Sequence, residues 1–120
     1  MHSRMLGDGI ELVETYALKS GYAPHSHDCY VIGLTSHGVQ QFRYRGTENF
    51  ALPGQAFVLH PAELHDGRPG SDQGYGYRSI QIDSAHIADA TGGSTLPFVR
   101  EPVSSDPKLR AAIAQLLGDT

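Results

Sequence analysis

Residues 53–67 read PGQAFVLHPAELHDG, and this stretch sets the architecture. Pro53-Gly54 is a turn dipeptide. Ala56, Phe57, Val58 and Leu59 make a short apolar run of strand length. Pro61 cannot donate to a β-ladder and ends that run, after which His65 and Asp66 open the next extended segment. The order is strand, turn, strand, with a histidine carried to the mouth of whatever the strands enclose. Upstream, His25-Ser26-His27 precedes a second apolar segment that turns at His37-Gly38. Two histidine-bearing segments therefore bracket a hairpin.

Working outward, residues 1–9 read as a flexible N-terminal arm, with Gly7-Asp8-Gly9 as a turn signal. Residues 10–18 form a weak strand and residues 19–24 a connection. Residues 25–36 are strand-like through Tyr30, Val31, Ile32, Leu34 and Thr35. Residues 39–45 alternate, with Gln41, Arg43 and Arg45 on one face and Phe42 and Tyr44 on the other, the period of a half-buried strand. Gly46-Thr47 turns the chain into a short strand over 49–52. After a polar loop over 68–74, residues 75–83 return to strand. Ser84 caps a short helix through Ala90, and Leu96 to Val99 form a last strand. Ser105-Asp106-Pro107 starts a final helix, with Leu109, Ile113, Leu116 and Leu117 at helical spacing and Gly118 at its stop.

About eight short, evenly spaced strands and then a helix predict an all-β domain, a jelly-roll barrel with one or two short C-terminal helices. At 120 residues there is room for one core. Fourteen glycines and seven prolines without a period fit many turns. The net charge is −4 and the basic residues do not cluster, so the chain itself has no footprint for gripping DNA phosphates. One cysteine, Cys29, excludes an internal disulfide and suits a reducing compartment. The N-terminus lacks an apolar signal segment and no run is of membrane length. The expectation is a cytoplasmic protein with no membrane partner.

His25 and His27 share a face on an extended strand, and parity carries Cys29 and Val31 onto it. With His65 from a paired strand, three imidazoles make a plausible site for zinc, nickel or iron. Glu63 or Cys29 stands as a candidate fourth ligand. A His-x-His at a strand start also serves as a polar strand entry, its rings bonded to carbonyls or water.

The stretch from His25 to Gly38 resembles the first cupin motif, G-x5-H-x-H-x3-4-E-x6-G. The closing glycine falls on Gly38, but the carboxylate position falls on Val31. Over a wider span the chain is similar to the N-terminal sensor domain of AraC-type transcription regulators. The resemblance rests on an ordered series: His25, His27, Tyr30, Ile32 and Gly33; Phe42, Tyr44 and Gly46; Pro53, Gly54, Leu59, Pro61, Glu63, His65, Asp66 and Gly67; Gly74, Tyr75, Tyr77 and Arg78.

The resemblance implies a cupin-type double-stranded β-helix over residues 10–103 and the start of a linker and dimerisation helix over 104–120. The helix-turn-helix DNA-binding domain of such regulators is absent from this chain, and Gly118-Asp119-Thr120 reads as an excised loop end. It further implies a small-molecule effector in the barrel, near His25, His27, Phe42, Tyr44, His65 and Tyr77. It implies a homodimer in the full-length protein, with Leu109, Ile113 and Leu116 as the contact stripe, and DNA contact only through the missing domain. A sensor needs differential affinity between two states and no catalytic residues. The alternative is a small metal-dependent cupin enzyme of dioxygenase or isomerase type using His25, His27 and His65. Val31, where such enzymes carry glutamate, argues against it. A carbohydrate-binding jelly roll would want aromatic platforms, and there is no tryptophan.

Overall fold

The alternating segments pair into two antiparallel sheets in a computed structural model that describes residues 2–25, 28–90, 92 and 99–118, with the backbone alone at 17, 22–25 and 90. In chain order the strands are β1 (His2–Gly7), β2 (Ile10–Leu18), β3 (Tyr22–His25), β4 (Cys29–Gly38), β5 (Gln40–Tyr44), β6 (Thr47–Ala51), β7 (Ala56–Leu59), β8 (His65–Pro69), β9 (Tyr75–Asp83) and β10 (Val103–Ser104). Helix α1 (Ser84–Ala90) follows β9, and α2 (Pro107–Leu116) follows β10. One sheet runs β1-β2-β9-β4-β7-β10 and the other β3-β8-β5-β6. This is the all-β jelly roll that the strand spacing predicts.

The two sheets face each other across a barrel core of Val31, Phe42, Tyr44, Ala51, Phe57 and Leu59, against which Cys29, Tyr77 and Val103 also pack. Strand β5 shows why Phe42 and Tyr44 are interior. Its burial alternates in period two, with Phe42 and Tyr44 each 1% exposed and Arg43 outside. The opposite face of the larger sheet carries Leu12, Ala56 and Ile80, and helix α2 lays Ile113 and Leu117 over them. Asp106 caps α2 by accepting a hydrogen bond from Lys108 N–H at 2.9 Å, and Pro107 occupies the first turn. Gly118 then stops the helix at φ 84°.

Three expectations need correction. Residues 2–7, expected as a loose arm, pair with β2 around the Asp8-Gly9 turn, although every one of them stays exposed. Asp-Gly between two extended runs is a hairpin signal, and it prevails here over the polar composition. Residues 25–36 are not one strand. Strand β3 ends at His25 in the smaller sheet and β4 begins at Cys29 in the larger, so the parity that carried Cys29 and Val31 onto the face of His25 is broken at a corner between sheets. The hairpin after β5 turns at Arg45-Gly46, with Tyr44 paired to Thr47. Both turn residues have positive φ, 54° and 74°, the pattern of a two-residue type I′ turn. Arg78 pairs with Glu14 at 2.9 Å, and Asp66 with Arg68 at 3.0 Å. The strand expected over 96–99 falls largely outside the described residues.

Candidate functional site

At one end of the barrel the β5–β6 turn meets the segment between β7 and β8, and four side chains interlock there. Tyr44 ends β5, Arg45 starts the turn, His60 follows β7, and the Pro61-Ala62 turn returns Glu63 to them. The Tyr44 hydroxyl accepts the His60 backbone N–H at 2.9 Å and donates to Glu63 Oε2. Arg45 Nε donates to both Glu63 oxygens at 3.2 Å and Nη2 donates to Oε2 at 3.0 Å. The guanidinium also lies 4.7 Å from the centroid of the Tyr44 ring.

His60 is 7% exposed. Nε2 accepts the Val99 N–H at 2.8 Å. Nδ1 lies 3.1 Å from the Tyr44 hydroxyl and 3.0 Å from Arg45 Nη2, which can only donate, so donors face both ring nitrogens. Burial and the Arg45 charge both hold the imidazole below its ordinary pKa. Burial and the bond to Glu63 push Tyr44 up to about 12. Burial works to raise Glu63, but hydrogen bonds from Arg45 and Tyr44 bring it below the usual carboxylate range. In front of this cluster lies a groove of about 510 Å³, bounded by Arg43, Arg45 and Gly46 on one side and by Ala62, Leu64 and Asp66 on the other.

Of the residues singled out in the sequence, the structure brings three into one row. The register pairs His65 with His25 on one side and with Tyr44 on the other. His65 is 4% exposed and its Nδ1–H donates to the Glu63 carbonyl at 3.4 Å. The side chain of His25 and all of His27 lie outside the described residues. Among the described residues no three histidine, cysteine or acidic side chains group as a metal site. Of the two candidate fourth ligands, Glu63 is committed to Arg45 and Tyr44. The Cys29 thiol lies 3.9 Å from Gln81 Oε1, and burial, then the charge of Asp83, raises its pKa. Neither is poised to receive a cation.

Tyr77 packs on the barrel core edge to face with Phe57, ring centroids 5.6 Å apart. It stacks on Tyr75, and burial raises its pKa. Tyr75 and Ser79 lie two residues to either side of Tyr77 on β9 and so share its inward face. Both are 0% exposed, and neither hydroxyl has a hydrogen-bond partner among the described residues. Sequence reasoning missed Arg45, His60, Tyr75 and Ser79. The signal for Arg45 was present: an arginine before glycine, where a type I′ turn favours Asn or Asp.

Two facing antiparallel sheets with a helix on the outer side define a cupin-type barrel. Solved structures with the same fold include a cupin protein from Bacteroides fragilis, with TM-score 0.58 and 20% identity over 78% of this chain and 79% of that one. A Cupin 2 conserved barrel domain protein from Salinispora arenicola gives TM-score 0.57 and 16% identity over 72% and 73%. An oxalate decarboxylase variant from Bacillus subtilis gives 0.56 and 11% over 82% of this chain and 34% of that one. At these identities the likeness is one of fold. No curated protein matches the sequence. The profile of the family described as AraC-like ligand binding domain matches residues 9–120, and the chain belongs to that family. Among the described residues no helix is long and apolar enough to cross a membrane.

Proposed function

We propose that this domain is the effector-binding and dimerisation part of an AraC-type transcription regulator. It takes a small molecule in the cupin barrel and passes the change to a DNA-binding domain outside this chain. Family membership supports the class. The observation that carries a ligand site in the barrel is the pair of buried hydroxyls, Tyr75 Oη and Ser79 Oγ, without partners among the described residues on one face of β9. Buried polar groups are nearly always satisfied, and two orphans in line suit a hydroxyl-bearing or carbonyl-bearing effector. Tyr77 supplies an aromatic wall beside them, and His25, His27, Phe42, Tyr44 and His65 are the further contacts in this reading. The place of action is the cytoplasm, where the regulated DNA is.

The test is a thermal-shift screen of sugars and aromatic acids, repeated on Tyr75→Phe. A compound that stabilises the wild type and loses its effect in the variant supports the reading. Stabilisation undiminished in the variant takes the effector away from this face.

The register pairing of His25 with His65 keeps a second reading in play, a metal-dependent cupin enzyme holding zinc, nickel or iron on His25, His27 and His65. Elemental analysis of protein purified without added metal decides it. Near-stoichiometric metal that disappears in His27→Ala favours the enzyme or a metal-assisted sensor.

A further inference from the structure

We propose that the groove at the barrel rim is a carboxylate-binding site whose present occupant is the chain's own Glu63. The proposal depends on the sensor reading only for what the carboxylate would regulate; the binding is tested without it.

Three features separate this contact from an ordinary ion pair. The receptor is rigid and complete. Arg45 sits in a two-residue hairpin turn, and Tyr44 is 1% exposed. Together they present Nε–H, Nη2–H and a phenol to a single carboxylate, a planar fork suited to that group. The opposite end of the guanidinium is held separately: Nη1 donates to the carbonyls of Arg100 at 3.1 Å and Val99 at 3.4 Å. Arg45 therefore stays in place if Glu63 leaves.

The occupant, by contrast, is weakly held by its own backbone. Between Pro61 and His65 no side chain is buried, Leu64 is 65% exposed, and the Glu63 side chain is 36% exposed. Ala62, immediately before it, has φ 64°. Among the described residues the only non-glycine positive φ values are at Arg45 and Ala62. The first belongs to the turn; the second places Glu63 on its receptor. Strain of this kind persists where surrounding contacts hold it, and release of Glu63 lets Ala62 relax.

Space is the third feature. The groove in front of the pair, about 510 Å³, lies within the range of small-molecule sites, with Ala62 and Leu64 as an apolar wall beside the charged fork. A monocarboxylate with an apolar body fits that division. Its carboxylate takes the place of the Glu63 carboxylate on Arg45 and Tyr44, and its body lies along Leu64.

The probe is benzoate, with benzamide as its uncharged counterpart, titrated by calorimetry into wild type, Glu63→Ala and Glu11→Gln. Glu11 lies on β2 in the larger sheet, paired with Gln81, and does not line the groove, so its variant makes the same change in net charge away from it. A receptor filled about nine-tenths of the time by its own side chain weakens an external ligand about tenfold. The expected result is benzoate binding about tenfold tighter in Glu63→Ala than in wild type. Glu11→Gln should match wild type, and benzamide should bind to none of the three. Arg45→Gln, if its melting curve shows it folded, should abolish binding. Equal benzoate affinity in wild type and Glu63→Ala overturns the proposal, as does no benzoate binding in folded Glu63→Ala. Equal tightening for inorganic phosphate also overturns it, because the groove would then be a bare positive charge. Because benzoate is itself an aromatic acid, the titrations are repeated in a Tyr75→Phe background, where the reading above removes binding in the barrel and leaves the rim groove intact.

Discussion

His60 Nε2 accepts the Val99 N–H at 2.8 Å across 39 positions of sequence. This bond ties the barrel mouth to the segment that leads into β10 and α2, and it requires an unprotonated Nε2. In the folded protein the ring titrates below its ordinary value of 6.5, through burial first and the Arg45 charge second. With the folded pKa depressed, the unfolded chain binds more protons below pH 6.5, so stability falls as pH drops from there toward the folded pKa and changes no further below it. Thermal melts from pH 8 to 5 should show this loss in the wild type and a flatter profile in His60→Gln. Glu63 adds a separate loss at lower pH, beginning below its ordinary 4.5 because its folded pKa is also depressed. Parallel pH profiles for wild type and His60→Gln would remove His60 from the account.

Tyr44→Phe tests the hub of the cluster. The substitution keeps the ring and deletes an oxygen that bonds the His60 backbone N–H, His60 Nδ1 and Glu63. It leaves a buried backbone donor unpaired, which costs about 1–3 kcal/mol. Urea unfolding should show a loss of about 2 kcal/mol with an unchanged slope. A loss under about 0.5 kcal/mol, the size of an ordinary surface change, would mean that water replaces the hydroxyl.

The fold was legible in the sequence because its determinants are local. Alternation marked β5, Asp106-Pro107 marked the start of α2, and Pro53-Gly54 and Pro61 bounded β7. What stayed hidden depends on contacts between distant residues. The change of sheet between His25 and Cys29 spans Ser26-His27-Asp28, polar residues whose His-x-His spacing joined them in the reading to the strand-formers that follow. Arg45 and Glu63 are 18 positions apart and meet only because a hairpin turn and a left-handed Ala62 bring them together. Of the effector contacts named in advance, His65, Tyr44 and the backbone of His25 fall in one row. The orphan hydroxyls of Tyr75 and Ser79 could not be read from residue type, since an unsatisfied group is a property of its neighbours.

Helix α2 separates packing from any contact with a second subunit. Ile113 is 2% exposed on the outer face of the chain's own barrel, whereas Leu116 is 56% exposed. The stripe of Leu109, Ile113 and Leu116 expected to serve a dimer is thus divided, with Ile113 engaged at home. Ile113→Ala should cost about 2–4 kcal/mol in urea unfolding, the range for truncating a buried aliphatic side chain. Leu116→Ala should stay within about 0.5 kcal/mol. If the full-length regulator dimerises through this helix, Leu116→Glu weakens its dimer in sedimentation while leaving the isolated domain's melting temperature unchanged. A comparable loss of stability from Leu116→Ala would show that α2 packs in a different rotation.

Tyr75→Phe sets stability against binding. The Tyr75 ring is 0% exposed and its hydroxyl has no partner among the described residues. Among the described residues nothing compensates the desolvation of that oxygen, and burial raises the phenol to about 12, so it stays neutral. Phenylalanine keeps the stacking on Tyr77 and removes the oxygen. Without effector the variant should be more stable than wild type by about 1 kcal/mol. With effector the order reverses, because only the wild type gains the hydrogen bond. Stabilised residues at a binding site commonly cost function in this way. The decisive comparison is the ligand-induced change in melting temperature for the two proteins at one effector concentration. Destabilisation of the ligand-free variant would instead assign the hydroxyl to a buried water, and an equal ligand shift in both proteins would move the effector off β9.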